Sequence, residues 1–428
     1  MIRKFQDQRD WFFKKPFGMF VHWGLYSIPA WHEQIQWRKN INRDKYYQLI
    51  NEFNPVNFNP DSWLDLAEEA GMEFITITTK HHDGFCLWNT KYTDFNVMNT
   101  PYKKDIIGEL ADACHKRNFP LRLYYSVADW HHPNYHNRGN FGISHELPEP
   151  LSGDHPDENK YMEYLKNQIR ELCTNYGEIH GIWWDVNRLT FRNLEINEMI
   201  HTLQPGAVIN DRGFSTGDYS TSERDYNISQ LEKTKIFTGP MEACQSVGME
   251  SWGFRKNENY YTVKYLQQSI DRMMAKGACY LLNTGPKADG TIAEQDMSIL
   301  REIGDWYKRI KESIVETEPC PNLVSNENIN ITKKNNCLYV HLHKEPVSTS
   351  LVLDPIQKLP KKAVLLNTSQ TLNVQVEDIP RFFKTIQNAL CIRNLPLDLM
   401  QKEVLVIRLE YDSLDELAAR DTGREFSG

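Results

Sequence analysis

No stretch of this 428-residue sequence stays apolar for the length of a membrane-spanning helix, which excludes a helical integral membrane protein. Residues Met1 to Asp10 contain no apolar core of a secretory leader. Basic blocks are missing too. With 49 Lys and Arg against 57 Asp and Glu, the net charge is −8, which argues against a nucleic-acid partner. The eight cysteines form no CxxC pair and no zinc-like spacing, and several sit inside apolar runs, as Cys279 does before Tyr280. They read as reduced thiols. The expected compartment is the cytoplasm for the chain as it stands, or the periplasm or exterior if a leader has been removed. Repeats and low-complexity tracts are also lacking. Aromatics, in contrast, are plentiful, with 11 Trp and 20 Tyr. The length suggests two domains.

Up to about residue 320 the chain alternates short β-branched or aromatic runs with amphipathic helical segments. Strands are expected near residues 18, 74, 121, 181, 207 and 279, with a candidate seventh at Lys235 to Thr238. Such alternation implies parallel strands joined by right-handed crossovers. Polar residues recur at the strand C-termini: His22, His81 and His82, Asp129, Asp185, Asp211 and Arg212, and Asn283. Active sites of (β/α) barrels lie at that end. The expected architecture is therefore an irregular TIM-like (β/α) barrel over residues 1–320. From Pro321 the texture changes to short alternating segments, the pattern of an antiparallel β-sandwich over 321–428, with Asp421 to Gly428 expected to be disordered.

The chemistry centres on Gly181 to Asn187, where a buried aromatic strand ends in Asp185. A carboxylate held between tryptophans at a barrel mouth is a seat for a nucleophile attacking a sugar, whose C–H face stacks on indole. The same residue is equally readable as a helix N-cap. His81, His82 and Asp83 are types that bind zinc. Adjacent residues of an extended chain point to opposite sides, however, so hydroxyl recognition by neutral imidazoles, with His22, is the stronger reading. Acid–base work needs a second carboxyl. Glu223, expected on a loop beyond the fifth strand, is the first candidate, and Glu242 and Glu250 compete. Arg212, at the preceding strand end, is placed to orient a carboxylate or a hydroxyl.

Several blocks together resemble the retaining α-L-fucosidases of glycoside hydrolase family 29. They are Phe17 to Gly24, Thr79 to Trp88, Tyr124 to His131, Ile182 to Asp185, Asn210 to Arg212, and Leu281 to Pro286 with Asp289 and Gly290. The resemblance implies a barrel followed by a β-sandwich, a fucosylated glycan as substrate, and neither metal nor cofactor. It implies Asp185 as nucleophile and Glu223 as acid/base, with Glu242 as the alternative. His22, His81 and His82 would bind fucose hydroxyls, with Trp37, Trp88, Tyr125, Trp183 and Arg212 around them. Three places depart from the family pattern. Gln36-Trp37-Arg38 stands for Glu-Trp-Tyr, Trp184-Asp185-Val186 for Phe-Asp-Gly, and Met241 for a common Trp. In addition, Ser222 precedes Glu223 where Pro is usual. A retaining pair of carboxyls would lie roughly 5–5.5 Å apart, against roughly 6.5–9.5 Å for inversion. The alternatives are a metal-dependent barrel hydrolase built on His81, His82 and Asp83, and a fucose-binding protein without catalysis. No membrane partner is expected, and self-association stays open.

Overall fold

The computed structural model describes residues 4–135, 153–186, 193–214, 216–224, 236–323, 326, 328–344, 348–380 and 386–417. Eight parallel strands form one sheet: β1 (Phe17–Val21), β2 (Ile75–Lys80), β3 (Leu121–Ser126), β4 (Gly181–Asp185), β5 (Val208–Ile209), β6 (Ser220–Glu223), β7 (Met241–Ser246) and β8 (Cys279–Thr284). Their order is β5-β4-β3-β2-β1-β8-β7-β6, and an Asn210–Tyr219 parallel bridge spans the gap between β5 and β6. The expected barrel is therefore present and irregular. Six of its strands are those anticipated. The other two are β6 and β7, not the candidate at Lys235 to Thr238; Lys235 lies outside the described residues, and Ile236 to Thr238 are not in a strand. Glu223 consequently ends a strand instead of riding on a loop.

Helices α1 (Pro60–Glu69), α2 (Ile106–Lys116), α3 (Glu158–Thr174), α4 (Leu194–Leu203), α5 (Val263–Met274) and α6 (Glu294–Ile310) cover the barrel. Their starts follow capping chemistry. Asn59 caps α1 by accepting from the Asp61 and Ser62 N–H groups, and Pro60 fills the first helical position. Asp105 and Asp157 cap α2 and α3 in the same way. Inside the barrel, Phe20, Phe74, Tyr124, Trp183, Tyr219 and Leu281 pack together, and the N-terminal Phe12 closes the lower end against Tyr219.

Beyond α6 the strands are antiparallel. β9 (Glu318–Pro319), β10 (Asn330–Lys334), β11 (Cys337–Leu342), β12 (Leu351–Leu353), β13 (Lys362–Leu365), β14 (Gln370–Thr371), β15 (Val374–Pro380), β16 (Ile386–Ile392) and β17 (Leu405–Glu410) make a six-stranded and a three-stranded sheet. Alternate residues such as Leu338, Val340 and Ile407 fill the space between them, with Leu353 and Leu390 opposite. The six-stranded sheet also packs on the barrel. Trp306 Nε1 donates to the Val404 carbonyl at 2.9 Å, and Asp271 of α5 lies 2.6 Å from His341 of β11, both fully buried. The segment Asp421 to Gly428 lies outside the described residues. No helix among the described residues is long and apolar enough to cross a membrane.

Candidate active site

β3 and β4 run in register, with Tyr124 beside Trp183 and Ser126 beside Asp185. Side chains alternate across a strand, so Arg122, Tyr124, Ser126, Trp183 and Asp185 share the inward face. Asp185 thus reaches the mouth with only 7% of its surface exposed. Its Oδ2 accepts from the Tyr124 hydroxyl at 2.6 Å. Its Oδ1 accepts from Arg212 Nη2 at 2.5 Å and from the Val186 N–H at 2.9 Å. Burial pushes the Asp185 carboxyl up, but the Arg212 guanidinium and the Tyr124 hydroxyl outweigh it and hold the group below the ordinary range.

Arg212 has a second partner, donating from Nη1 to Glu223 Oε2 at 2.6 Å. One guanidinium fork therefore carries both carboxyls, while its carbon sits 5.2 Å from the Trp183 ring. Glu223 titrates the other way. Burial raises it, Arg212 pulls it down, and the Asp185 charge raises it again, leaving it above the ordinary glutamate value. Each carboxyl is followed by a left-handed residue, Val186 at φ 49° and Arg224 at φ 49°. For β-branched Val186 that conformation is strained, and strain of this kind gathers at functional sites.

The histidines complete the pocket. His22 Nδ1 lies 2.7 Å from Asn283 Oδ1, and the Asn283 amide nitrogen donates to the Trp252 carbonyl, so His22 Nδ1 carries the proton. Nε2 is then an acceptor, and burial lowers the ring to about 4, keeping it neutral. Ser126 Oγ gives its hydrogen to the Ala128 carbonyl and accepts from His82 Nδ1 at 2.7 Å. The other His82 nitrogen is 3.8 Å from Asp185 Oδ2. His81 and His82 do not diverge as an extended chain would require. Their rings are 3.9 Å apart, because the register slips between Thr78 and Lys80 and the chain turns at Gly84. His81 Nδ1 is buried with no hydrogen-bond partner. Asp83 faces elsewhere, accepting from the Tyr46 hydroxyl at 2.7 Å and the Phe85 N–H. Among the described residues no three His, Cys, Asp or Glu side chains converge as a metal site.

Other expected site residues lie apart from this cluster. Tyr125 and Trp88 point outward: the Tyr125 hydroxyl donates to Gln168 at 2.6 Å and Trp88 Nε1 to Glu171 at 3.3 Å, both partners on α3. Glu242 sits at the lower end of β7, fully buried. Arg122 holds both its oxygens at 2.5 and 2.9 Å, and Trp183 Nε1 donates to it at 3.0 Å. Its burial and its engaged oxygens count against the acid/base alternative. Glu250 is a surface partner of Arg255. Trp37 lies half-buried in the short helix Ile35–Arg38 with the Arg38 guanidinium 5.8 Å from its ring.

Tyr124, and not its neighbour Tyr125, enters the pocket. Counting back by two from Asp185 through the paired strands would have found it. Glu33 and Trp252 could not be found that way, because both sit on loops. Glu33 Oε2 accepts from Ser251 Oγ and the Trp252 N–H, each at 2.9 Å. Burial pushes the Glu33 carboxyl up, but His32, His81 and His22 bring it down to about 2. Trp252 lies 5.3 Å from the His22 ring.

A low carboxyl and a raised one, set at the mouth of a parallel barrel, divide the roles that glycoside hydrolases require of an acid pair. Relatives agree with that class. The family model described as Alpha-L-fucosidase matches residues 2–312. Human plasma alpha-L-fucosidase is 29% identical over 346 residues, covering 72% of this chain and 69% of the relative. The structure of alpha-L-fucosidase isoenzyme 1 from Paenibacillus thiaminolyticus superposes with a TM-score of 0.82 at 30% identity, covering 95% and 99% of the two chains. A Bacteroides thetaiotaomicron family 29 fucosidase, solved as a trapped covalent intermediate with 2-fluoro-fucosyl fluoride, gives 0.78 at 27% identity, covering 95% and 97%. The chain belongs to the alpha-L-fucosidase family.

Proposed function

We propose that the protein releases α-L-fucose from fucosylated glycans by double displacement, with Asp185 as nucleophile and Glu223 as acid/base. The observation that carries this is the shared Arg212 fork, which holds two carboxyls of opposite proton affinity at one site. In the first step the Asp185 carboxylate bonds to the anomeric carbon, and the bond to the leaving oxygen breaks as Glu223 gives that oxygen its proton. In the second, Glu223 takes a proton from water, whose oxygen bonds to the anomeric carbon and frees Asp185. A common fork supports the short spacing of a retaining pair. His22 Nε2 offers an acceptor, and the partnerless His81 Nδ1 a further polar atom, to sugar hydroxyls. Trp183 and Tyr124, stacked at 17°, give the apolar wall. All eight cysteines are free thiols, six of them buried, which supports a fold independent of disulfides and of an oxidising compartment.

The test is hydrolysis of 4-nitrophenyl α-L-fucoside, with the first-formed anomer followed by NMR. Initial α-fucose supports retention; initial β-fucose overturns it. Azide added to Asp185→Gly should give β-fucosyl azide, and added to Glu223→Gly should give α-fucosyl azide, since only the first variant opens the face opposite the leaving group. Turnover abolished by EDTA would favour the metal-dependent alternative.

A further inference from the structure

The chain is acidic overall, yet the rim beyond Glu223 is basic. Arg224, immediately after Glu223, places its guanidinium carbon 4.7 Å over the Trp252 ring and donates from Nη1 to the Met249 carbonyl at 2.9 Å. From Trp252 the chain runs on to Arg255, which donates to the Trp31 carbonyl at 3.1 Å and lies 5.8 Å over its ring. Lys39 Nζ sits 4.2 Å from the same ring. Arg38, next to it, donates to the neutral Gln34 side chain and lies 5.8 Å over the Trp37 ring.

The acids of this rim are already engaged. Glu250 pairs with Arg255 at 2.9 Å, and Glu258 accepts from the N–H groups of Glu250, Ser251 and Asn259. Glu33 is buried beneath, accepting from the Ser251 hydroxyl and the Trp252 N–H. Among the described residues no carboxylate lies within 4.0 Å of a cationic nitrogen of Arg38, Lys39 or Arg224. These charges also share one locality: burial lowers the His32 imidazole, Glu33 raises it, and Arg38, Arg224 and Arg255 lower it further. Two indoles flanked by Arg224 and Lys39, which lack carboxylate partners among the described residues, form a surface that stacks on sugar rings and attracts negative charge.

We propose that this rim is a leaving-group subsite for glycans carrying an anion, a carboxylate or a sulfate ester, beside the fucosylated unit. The position argues for the leaving group, because Arg224 adjoins the residue assigned to protonate the departing oxygen. The inference rests on the fucosidase reading above, and its test separates the two.

Three glycans sharing one fucosyl linkage, one neutral, one sulfated and one sialylated, are compared by kcat/KM at low and high salt, with the aryl fucoside as internal reference. At low salt the anionic substrates should exceed the neutral one about tenfold, the lower end of what a focused field gives. The advantage should shrink as salt screens it. A gain confined to one of them identifies sulfate or carboxylate; a gain for both identifies charge alone. Arg224→Asn, chosen because Asn tolerates a left-handed backbone, and the exposed pair Arg38→Gln/Lys39→Gln should each bring the ratio toward one. Calorimetric affinities of the three glycans for Asp185→Asn give the same comparison without turnover. A wild-type ratio at or below one at low salt, in both kinetics and binding, overturns the proposal. An inert aryl fucoside alongside preferential binding of anionic glycans would instead count against the fucosidase reading.

Discussion

Arg212 Nη2 stands 2.5 Å from Asp185 Oδ1, and this one contact ties the charge of the nucleophile candidate to that of its partner acid, because Nη1 of the same group binds Glu223. Under the proposed mechanism the reactive form is Asp185 ionised with Glu223 protonated. Asp185 lies below its ordinary value and Glu223 above, so this form is most populated between them. The kcat/KM profile on an aryl fucoside should be a bell with its base limb above about pH 4.3, the reference glutamate value. Arg212 draws both carboxyls down. Arg212→Met should therefore move both limbs to higher pH. Limbs that stay put, or move apart, would contradict the shared fork.

Glu223 also carries a stability signature. Its folded value is raised, so ionisation opposes folding. That cost is absent below the unfolded value of about pH 4.3 and complete above the folded value. Glu223→Gln should melt higher than wild type near neutrality, with the gain vanishing as pH falls through this window. Hydrolysis of substrates with poor leaving groups should drop by roughly 10²–10⁴-fold. A variant that melts lower near neutrality would show that the Arg212 contact outweighs burial and repulsion.

Tyr124 and Tyr125 should separate cleanly. The Tyr124 hydroxyl donates to the Asp185 carboxylate, and bonds to charged groups contribute about 1.5–3 kcal/mol. Tyr124→Phe should lower kcat/KM by roughly 10–100-fold and raise the acid limb. Tyr125→Phe strands Gln168 in the packing between β3 and α3, costing about 1–3 kcal/mol in stability by denaturant titration, with catalysis intact. The reverse pattern would place the wrong tyrosine in the pocket.

These two tyrosines also mark what the sequence makes legible. Strand periodicity and the polar strand ends are local properties, so the barrel, His22, Asp185 and Arg212 can be read directly. Assigning Tyr125 to the pocket is a parity error, correctable once β3 is paired with β4. Glu33 and Trp252 escape because their positions depend on a bond between loops more than 200 residues apart in sequence. β6 is hard to see because Ser220 to Glu223 is polar and partly exposed, unlike its buried neighbours. The twin histidines mislead because a slipped register and a turn break the alternation.

The buried pair at the foot of the barrel supplies the last prediction. Arg122 and Glu242 are both fully buried, and Glu242 also accepts from Trp183, whose ring stacks on Tyr124 and underlies Arg212. Removing one charge leaves the other without its partner, so Glu242→Ala should cost about 3–5 kcal/mol. Replacing both, as Arg122→Met with Glu242→Leu, should recover most of that loss, because apolar residues of similar volume substitute well for buried ion pairs. Activity should not recover in parallel. Trp183 would still lack its acceptor, and the stack that seats Tyr124 against Asp185 would loosen, lowering kcat in a protein that melts normally. Full restoration of both properties would confine the pair to stability and leave Trp183 held by packing alone.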